Sequence, residues 1–439
     1  MDSFLIHGGS RLSGKVEISG SKNSALPILA ACMMAEGTST LKGVPRLSDV
    51  DSMTKLLGDL GCDIFRHEPG GKTVWDGPPL NGPLDVTVVD ERRCVANYDI
   101  VKTMRASICV LGPLLAKRGR AVVSLPGGCN FGDRPVDLHL RGLAKLGAEF
   151  RIENGNIIGE VKGRLKGRRM YLGGMQGPTV LGTINVMCAA SLAEGITTIV
   201  GAACEPEVAD CADLINKMGG KITGHGTPEL RIEGVEKLHG AEHRVIPDRI
   251  ELGTFIMAAA ITGGELELKH CNIDHLCAVT DRLEEAGVVI RRQNGTVYVS
   301  CPKRPTAVEI ATQPYPGFPT DLQAQLMAML SLADGNSVIT ERIYPDRFQH
   351  VGELNRMGAR IRRDGPTAMI EGVDELQGAN VMCSDLRASA ALVLAGLVAK
   401  GTTRLDRVYH IDRGYEKIEA KLATVGAQIE RVKEAKAVA

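Results

Sequence analysis

LGDLGCDI, Leu57 to Ile64, is the stretch on which the reading of the fold turns. Its pattern, apolar-x-x-apolar-Gly-x-x-apolar, returns as LAKLGAEF from Leu143, INKMGGKI from Ile215, LEEAGVVI from Leu283, LNRMGARI from Leu354 and LATVGAQI from Leu422. The shared glycines are Gly61, Gly147, Gly219, Gly287, Gly358 and Gly426, spaced 68 to 86 residues apart. Each copy reads as an amphipathic helix closed by a glycine at C′, followed by a strand. Ahead of each copy stands a second shared element: an Ala-rich apolar helix, a glycine and an alternating strand. Its copies are AACMMAEGTSTL, GPLLAKRGRAVVSL, AASLAEGITTIV, AAAITGGELEL, MLSLADGNSVIT and VLAGLVAKGTTRL. Six paired elements in register mark a repeat architecture.

The apolar helices, such as Ala25 to Met34 or Ala388 to Val398, have no polar face, so each is expected to be buried all round. The strands alternate, as in Thr402-Thr403-Arg404-Leu405, so one face of each sheet meets water. Helices inside and sheets outside follow: an inside-out α/β arrangement, or inverse barrel. A chain of 439 residues exceeds what one core supports, and three units per domain place a boundary near Ile246. The expected domains are 22–245, and 1–21 together with 246–439.

Composition narrows the function classes. The formal net charge is zero, which argues against a nucleic-acid binder working by bulk phosphate neutralisation. Aromatic residues make up 3%, too few for stacking platforms. Apolar stretches fall short of the roughly 20 residues a membrane span needs, so no membrane insertion is expected. The opening MDSFLIHGGS lacks the basic and apolar runs of a signal peptide. Twelve cysteines without tight paired spacing suggest reduced thiols, and a cytoplasmic location is expected.

Two kinds of segment carry chemistry. LPGGCNFGDRPVDLH, Leu125 to His139, places Cys129 behind two glycines and ahead of Arg134-Pro135, which reads as a helix start. A thiol near an arginine and a helix N-terminus is shifted toward thiolate. The glycines let the loop move, so the stretch reads as a catalytic loop closing over an anion. The entrances of the apolar helices are polar throughout: SKNS at Ser21, KTMRAS at Lys102, PTVLGT at Pro178, DRIELGT at Asp248, PTDLQ at Pro319 and SDLRAS at Ser384. Free N–H groups there, with Lys22, Arg105, Arg134, Arg347, Arg387 and Arg413, suit a polyanionic ligand. Asp321 stands at one entrance, either as a helix N-cap or as a catalytic base.

Other motifs carry less. HCNIDHLC, His270 to Cys277, matches no structural zinc spacing, and no metal site is expected. HGAEH, His239 to His243, reads as a solvated loop. No Walker or dinucleotide glycine motif follows a strand, which removes kinase and dehydrogenase readings.

The strings SGSKNSALPILA, DIVKTMRAS, LPGGCNFGDRPVDLH, FPTDLQAQ, SDLRASAALVLAG and YHIDRGYEKIEAKL closely resemble the UDP-N-acetylglucosamine 1-carboxyvinyltransferase family, from about Phe4 to Lys433. That resemblance implies two inside-out domains with the active site in the cleft between them, the first residues of the chain pairing with the C-terminal half. It implies transfer of the enolpyruvyl group of phosphoenolpyruvate to the 3-hydroxyl of UDP-N-acetylglucosamine, with release of phosphate, in peptidoglycan synthesis. It also implies no metal and no cofactor, and small-molecule partners only; of oligomeric states, a monomer is favoured. By position, Cys129 resembles the loop general acid that can form an adduct with phosphoenolpyruvate, and Asp321 the group that takes the sugar hydroxyl proton. Lys22, Asn23, Arg347, Asp385, Arg387 and Arg413 resemble residues that hold or turn over phosphoenolpyruvate. Arg134, Pro135, Val136, Asp137 and Leu138 resemble the segment that touches both substrates and the uridine end, and Arg105, Thr179, Val180 and Ile343 resemble contacts to the nucleotide sugar. Cys109 stands where many family members have tryptophan. The sister transferase acting on shikimate 3-phosphate lacks this cysteine loop, and a non-catalytic UDP-sugar binder would have little need of Lys22, Cys129, Asp321 and Arg413 together.

Overall fold

The computed structural model describes residues 2–67, 82–125 and 136–433. The chain forms two compact units, one from residues 20–246 and one from residues 2–19 with 247–433. Helices α1 (Lys22–Ala31), α2 (Ser48–Asp59), α3 (Tyr98–Val101), α4 (Leu111–Arg118), α5 (Asp137–Lys145), α6 (Val180–Ser191) and α7 (Pro206–Lys217) belong to the first. The second holds α8 (Arg249–Ile261), α9 (Cys277–Glu285), α10 (Gln323–Leu330), α11 (His350–Arg356), α12 (Leu386–Val398) and α13 (Ile418–Thr424).

The apolar helices are central. Every residue of α8 and of α10 is buried, as is every residue from Ser24 to Ala31 in α1. Helices α8, α10 and α12 pack on one another, and α6 packs against α1 and α4. A glycine turn carries each central helix into a strand that shows only alternate residues to the core, such as Leu266 and Leu268 of Glu265–Lys269. Each such leucine brought out of water stabilises the fold by about 1.5–3 kcal/mol. The molecule is therefore an inside-out α/β fold in two units, with helices enclosed by sheets.

Among the described residues, five of the six sheets of three or four strands follow one plan. The strand after the central helix pairs antiparallel with a later strand and parallel with an extra one, as Ile196–Val200 does with Glu229–Glu233 and Arg169–Tyr171. In the sheet of Arg120–Ser124 the parallel partner shrinks to a single bridge, Val95 to Val122. Glu242–Arg244 returns to pair with Thr38–Lys42. In the other unit that closure comes from the start of the chain. Ser13–Glu17 pairs parallel with Glu265–Lys269, and Asp2–His7 lies antiparallel between Thr402–Asp406 and Gln428–Lys433. This strand is held by its inward face, where Phe4 and Ile6 are fully buried.

One expectation is corrected. His243 is not in a solvated loop: it lies inside the strand Glu242–Arg244, is buried, and meets Asp210 at 2.8 Å. The two-residue period of the strand turns His243 inward while Glu242 and Arg244 face out. Among the described residues, no helix is long and apolar enough to cross a membrane.

The amphipathic helices α2, α5, α7, α9, α11 and α13 end at the six repeat glycines, whose φ angles lie between 83° and 108°. A side chain in this left-handed region costs about 1–2 kcal/mol. Gly147→Ala has open space around the added Cβ and should lose about that much stability in urea unfolding. Gly61→Ala would also drive its Cβ into the carbonyl oxygen of Asp90, so its loss should be clearly larger. Equal midpoints for the two variants would contradict the clash.

Candidate active site

The entrances of the central helices are of two kinds. Four are closed by a side chain that accepts from the first turn. Ser21 caps α1 through Ser24 N, Thr179 caps α6 through Gly182 N, Asp248 caps α8 through Ile250 and Glu251 N, and Asp385 caps α12 through Arg387 and Ala388 N. These caps take up N–H groups that the sequence alone leaves available to an anion, and two of them are carboxylates. The other two entrances are 3₁₀ turns without a side-chain cap, Arg105–Val110 before α4 and Thr320–Leu322 before α10. The KTMRAS segment is thus no α-helical entrance, and Asp321 is not an N-cap.

Asp321 instead sits against two buried arginines. Arg347 Nη1 donates to its Oδ1 at 2.7 Å and Arg387 Nη2 to its Oδ2 at 3.0 Å. Burial works against the charge of both arginines. The field and hydrogen bonds of Asp321, with Asp385 at Arg347 and Tyr415 and Asp248 at Arg387, together more than offset that, and both guanidiniums are held above their ordinary range. The two guanidiniums thus hold the carboxylate by both of its oxygens.

The floor beneath is polar and closed. Gln325 Nε2 donates to the Asp321 carbonyl at 3.0 Å and to Tyr415 Oη at 3.0 Å, while Tyr415 Oη and Thr254 Oγ1 lie 2.8 Å apart. The Arg387 guanidinium lies 5.6 Å from the Tyr415 ring centre, in range for a cation–π contact. Arg413 ends the 3₁₀ turn Val408–Arg413, two residues before Tyr415. Ile343 is half-buried in the segment between strand Asn336–Thr340 and Arg347.

In the unit of residues 20–246, Lys22 opens α1 and pairs with the buried Asp49 of α2 at 3.3 Å, with Asn23 beside it in the first turn. Behind them Ser24 Oγ hydrogen-bonds to Asp210 Oδ2, and Asp210 Oδ1 meets His243. This tie fastens the first turn of α1 to α7 and to the strand Glu242–Arg244.

Arg105 lies near His139, whose imidazole burial, and secondarily the charge of Arg105, pushes down to about 4. Asn185 of α6 joins the same neighbourhood, with its Nδ2 2.9 Å from His139 Nδ1 and donating to the Ile108 carbonyl, while its Oδ1 accepts from Gly112 N. Val136 precedes α5, Asp137 and Leu138 open it, and Thr179 and Val180 open α6. The helix expected from Arg134-Pro135 is described from Asp137 onward; Cys129, Arg134 and Pro135 lie outside the described residues.

Burial pushes the Cys32 thiol up to about 12, and those of Cys62, Cys271 and Cys383 up to about 11, so these sulfurs are poor nucleophiles. Among the described residues, no group of His, Cys, Asp and Glu is arranged to hold a metal ion.

Asp49, Asn185, Gln325 and Tyr415 escape sequence reasoning, because a partner distant in the chain carries no periodic signal. Tyr415, two residues past Arg413 in YHIDRGY, was the one open to suspicion.

The chain is similar to known proteins along its whole length. A family model described as EPSP synthase (3-phosphoshikimate 1-carboxyvinyltransferase) matches residues 6–422. A UDP-N-acetylglucosamine 1-carboxyvinyltransferase of Trichlorobacter lovleyi is 51% identical over 434 residues, covering 99% of this chain and 100% of the relative. One of Gluconacetobacter diazotrophicus is 52% identical over the same length and coverage. The solved structure of the enolpyruvyl transferase NikO from Streptomyces tendae superposes with a TM-score of 0.86 at 24% identity, covering 99% of both chains. EPSP synthase from Acinetobacter baumannii superposes with 0.75 at 19% identity, covering 99% of this chain and 100% of that one. At such identities the two superpositions speak to fold alone.

Two buried imidazoles give a stability prediction. His139 and, in the other unit, His350 are both pushed down to about 4, chiefly by burial. The unfolded chain binds protons on them near 6.5 and the folded chain does not, so stability falls as pH drops from about 6.5 toward 4. Urea midpoints at pH 7.5 and pH 5 should show the fall, and His350→Asn should make it shallower. An unchanged slope in that variant would remove His350 as a cause.

Proposed function

The chain belongs to the EPSP synthase family of enolpyruvyl transferases, among the UDP-N-acetylglucosamine 1-carboxyvinyltransferases, and on that premise we propose that it transfers the enolpyruvyl group of phosphoenolpyruvate to the 3-hydroxyl of UDP-N-acetylglucosamine. Inorganic phosphate is released, and the product enters peptidoglycan synthesis. The observation that carries this reading is identity of about half the residues over the full length of relatives so named.

Chemistry and geometry support the assignment of roles. A proton reaches the methylene carbon of phosphoenolpyruvate from the Cys129 thiol as the sugar oxygen attacks the adjacent carbon. Asp321 takes the hydroxyl proton that this attack frees. The tetrahedral phospho-ketal then loses a proton and phosphate to restore the enol ether. Both reactants are polyanions, so cations must hold them: Lys22, Arg347, Arg387 and Arg413, with Asn23 and Asp385 in support, for phosphoenolpyruvate. Arg105, Thr179, Val180 and Ile343 serve the nucleotide sugar, and Arg134, Pro135, Val136, Asp137 and Leu138 serve both substrates and the uridine end. Buried arginines already aimed by Asp321 need little reorganisation when charge develops. Asp385 acts indirectly in this scheme, since its carboxylate is spent on capping α12 and so presents Arg387. The unpaired cysteine spacing fits a reducing compartment, and the reaction is placed in the cytoplasm.

Mixing the purified chain with both substrates should release phosphate in proportion to the UDP-sugar consumed. Equal release with shikimate 3-phosphate as acceptor would assign the chain to the sister activity. Asp321→Asn should keep substrate binding and lose at least about a hundredfold in phosphate release, within the usual worth of a general base; near-normal turnover would remove Asp321 from that role. Cys129→Ser should abolish covalent labelling by a fosfomycin-type epoxide. Exposed Cys277 is the internal control, because label retained in the Leu125–His139 peptide of that variant contradicts the assignment.

A further inference from the structure

Glu341 follows directly on the strand Asn336–Thr340, is completely buried, and belongs to none of the motifs that mark the site. Its carboxyl takes four hydrogen bonds, all from neutral donors. Thr312 Oγ1 at 2.6 Å and the backbone N–H groups of Ile343 and Tyr344 at 2.8 and 2.9 Å reach Oε1, and Thr320 Oγ1 reaches Oε2 at 2.9 Å. Taking a carboxylate out of water costs several kcal/mol, so a chain that keeps one at zero exposure depends on such a set of donors.

Both threonine hydroxyls are used twice. Thr312 Oγ1 gives its proton to Glu341 and accepts from Arg342 N at 2.9 Å. Thr320 Oγ1 gives its proton to Glu341 and accepts from Arg347 Nη1 at 3.1 Å. A hydroxyl has one proton, so an acceptor on one side decides that its lone pairs face the other. By claiming both protons Glu341 turns the Thr320 lone pair toward Arg347. The same Nη1 of Arg347 then holds Asp321 Oδ1 at 2.7 Å. The other branch fixes the turn that carries Ile343.

We infer that Glu341 is the positioning residue of this half of the reaction, aiming the proton acceptor Asp321 through Thr320 and Arg347, and shaping the sugar-nucleotide contact at Ile343 through Thr312 and the backbone. The inference rests on the roles proposed above for Asp321 and Ile343. It differs from a plain packing role in dividing into two branches that mutagenesis separates.

The test is steady-state phosphate release by the full chain, with UDP-N-acetylglucosamine binding followed by calorimetry and folding by thermal melting. Thr320→Val cuts only the branch to Arg347 and Asp321. It should lower kcat about 10- to 100-fold, the size expected of a misaimed catalytic group, with KM for the UDP-sugar nearly unchanged. Thr320→Ser keeps the hydroxyl and should return most of the rate. Thr312→Val should instead raise KM and weaken UDP-sugar binding while kcat stays close to normal. Glu341→Gln keeps an oxygen for Thr312 and the turn but puts a donor where Thr320 needs an acceptor, so it should show the kcat defect alone.

If Thr320→Val and Thr312→Val change kcat and KM alike, or shift only the melting temperature, the positioning role is overturned. Thr320→Ser no better than Thr320→Val overturns it too. An active wild type with these outcomes leaves the proposed function standing; a wild type that neither binds the UDP-sugar nor releases phosphate removes both.

Discussion

A helix that is apolar on every face has no stable place at a surface, and six such helices constrain the rest of this molecule. Once α8, α10 and α12 bury one another's sides, the sheets must lie outside them with one face to water, and the strands alternate for that reason. Polar groups are few along the middle of such helices, where Asn185 of α6 and Thr254 of α8 are each hydrogen-bonded. Polar groups gather in the first turns: Lys22, Asn23 and Ser24 in α1, Arg249 and Glu251 in α8, Gln323 and Gln325 in α10, Arg387 and Ser389 in α12. Chemistry at the helix entrances is therefore a consequence of how the core is built.

Those entrances carry charge out of water, and each charge survives through a partner from elsewhere in the chain. Burial raises the Glu251 carboxyl, and Lys421 at 2.7 Å together with the Ser19 N–H at 2.7 Å pulls against that rise. Arg347 and Arg387 depend on Asp321 in the same way. Removing one partner of such a group leaves the other uncompensated, which is costlier than never having placed the pair there. Lys22, Arg347 and Arg387, among the cations proposed to meet polyanionic reactants, are therefore held in fixed directions by acids of the protein itself. Pre-set direction is what distinguishes them from solvated surface lysines and arginines.

The architecture was legible in the sequence because it repeats. The six glycines end six helices in the left-handed conformation, a local rule that needs no knowledge of the tertiary fold. The buried helices could be read for the same reason, since an unbroken apolar run such as Ala388 to Val398 has one interpretation. The candidate site was legible only as far as residue type and motif reach. Arg347, Arg387 and Asp321 stand far apart in sequence, and their meeting follows from α10 and α12 packing together. Glu341 and Asn185 left no trace, because a buried polar residue is defined by its partners and those lie in other segments. His243 was misread as solvated because a three-residue strand is too short to display a period.

The two uncapped entrances break the pattern of the other four. A side chain that caps a helix is committed to backbone N–H groups, and its direction is set by them. Ser21, Thr179, Asp248 and Asp385 are used in this way. Where the chain enters through a 3₁₀ turn, the first turn is tighter and no side chain serves as cap. Those turns hold Arg105 and Asp321. Asp321 directs its oxygens at Arg347 and Arg387 instead of at the backbone. A carboxylate that shared its lone pairs with two backbone amides would be a less complete partner for the guanidiniums. The change of helix type at this entrance thus leaves the Asp321 carboxylate to Arg347 and Arg387, and the buried Glu341 behind it holds Thr320 of the same turn.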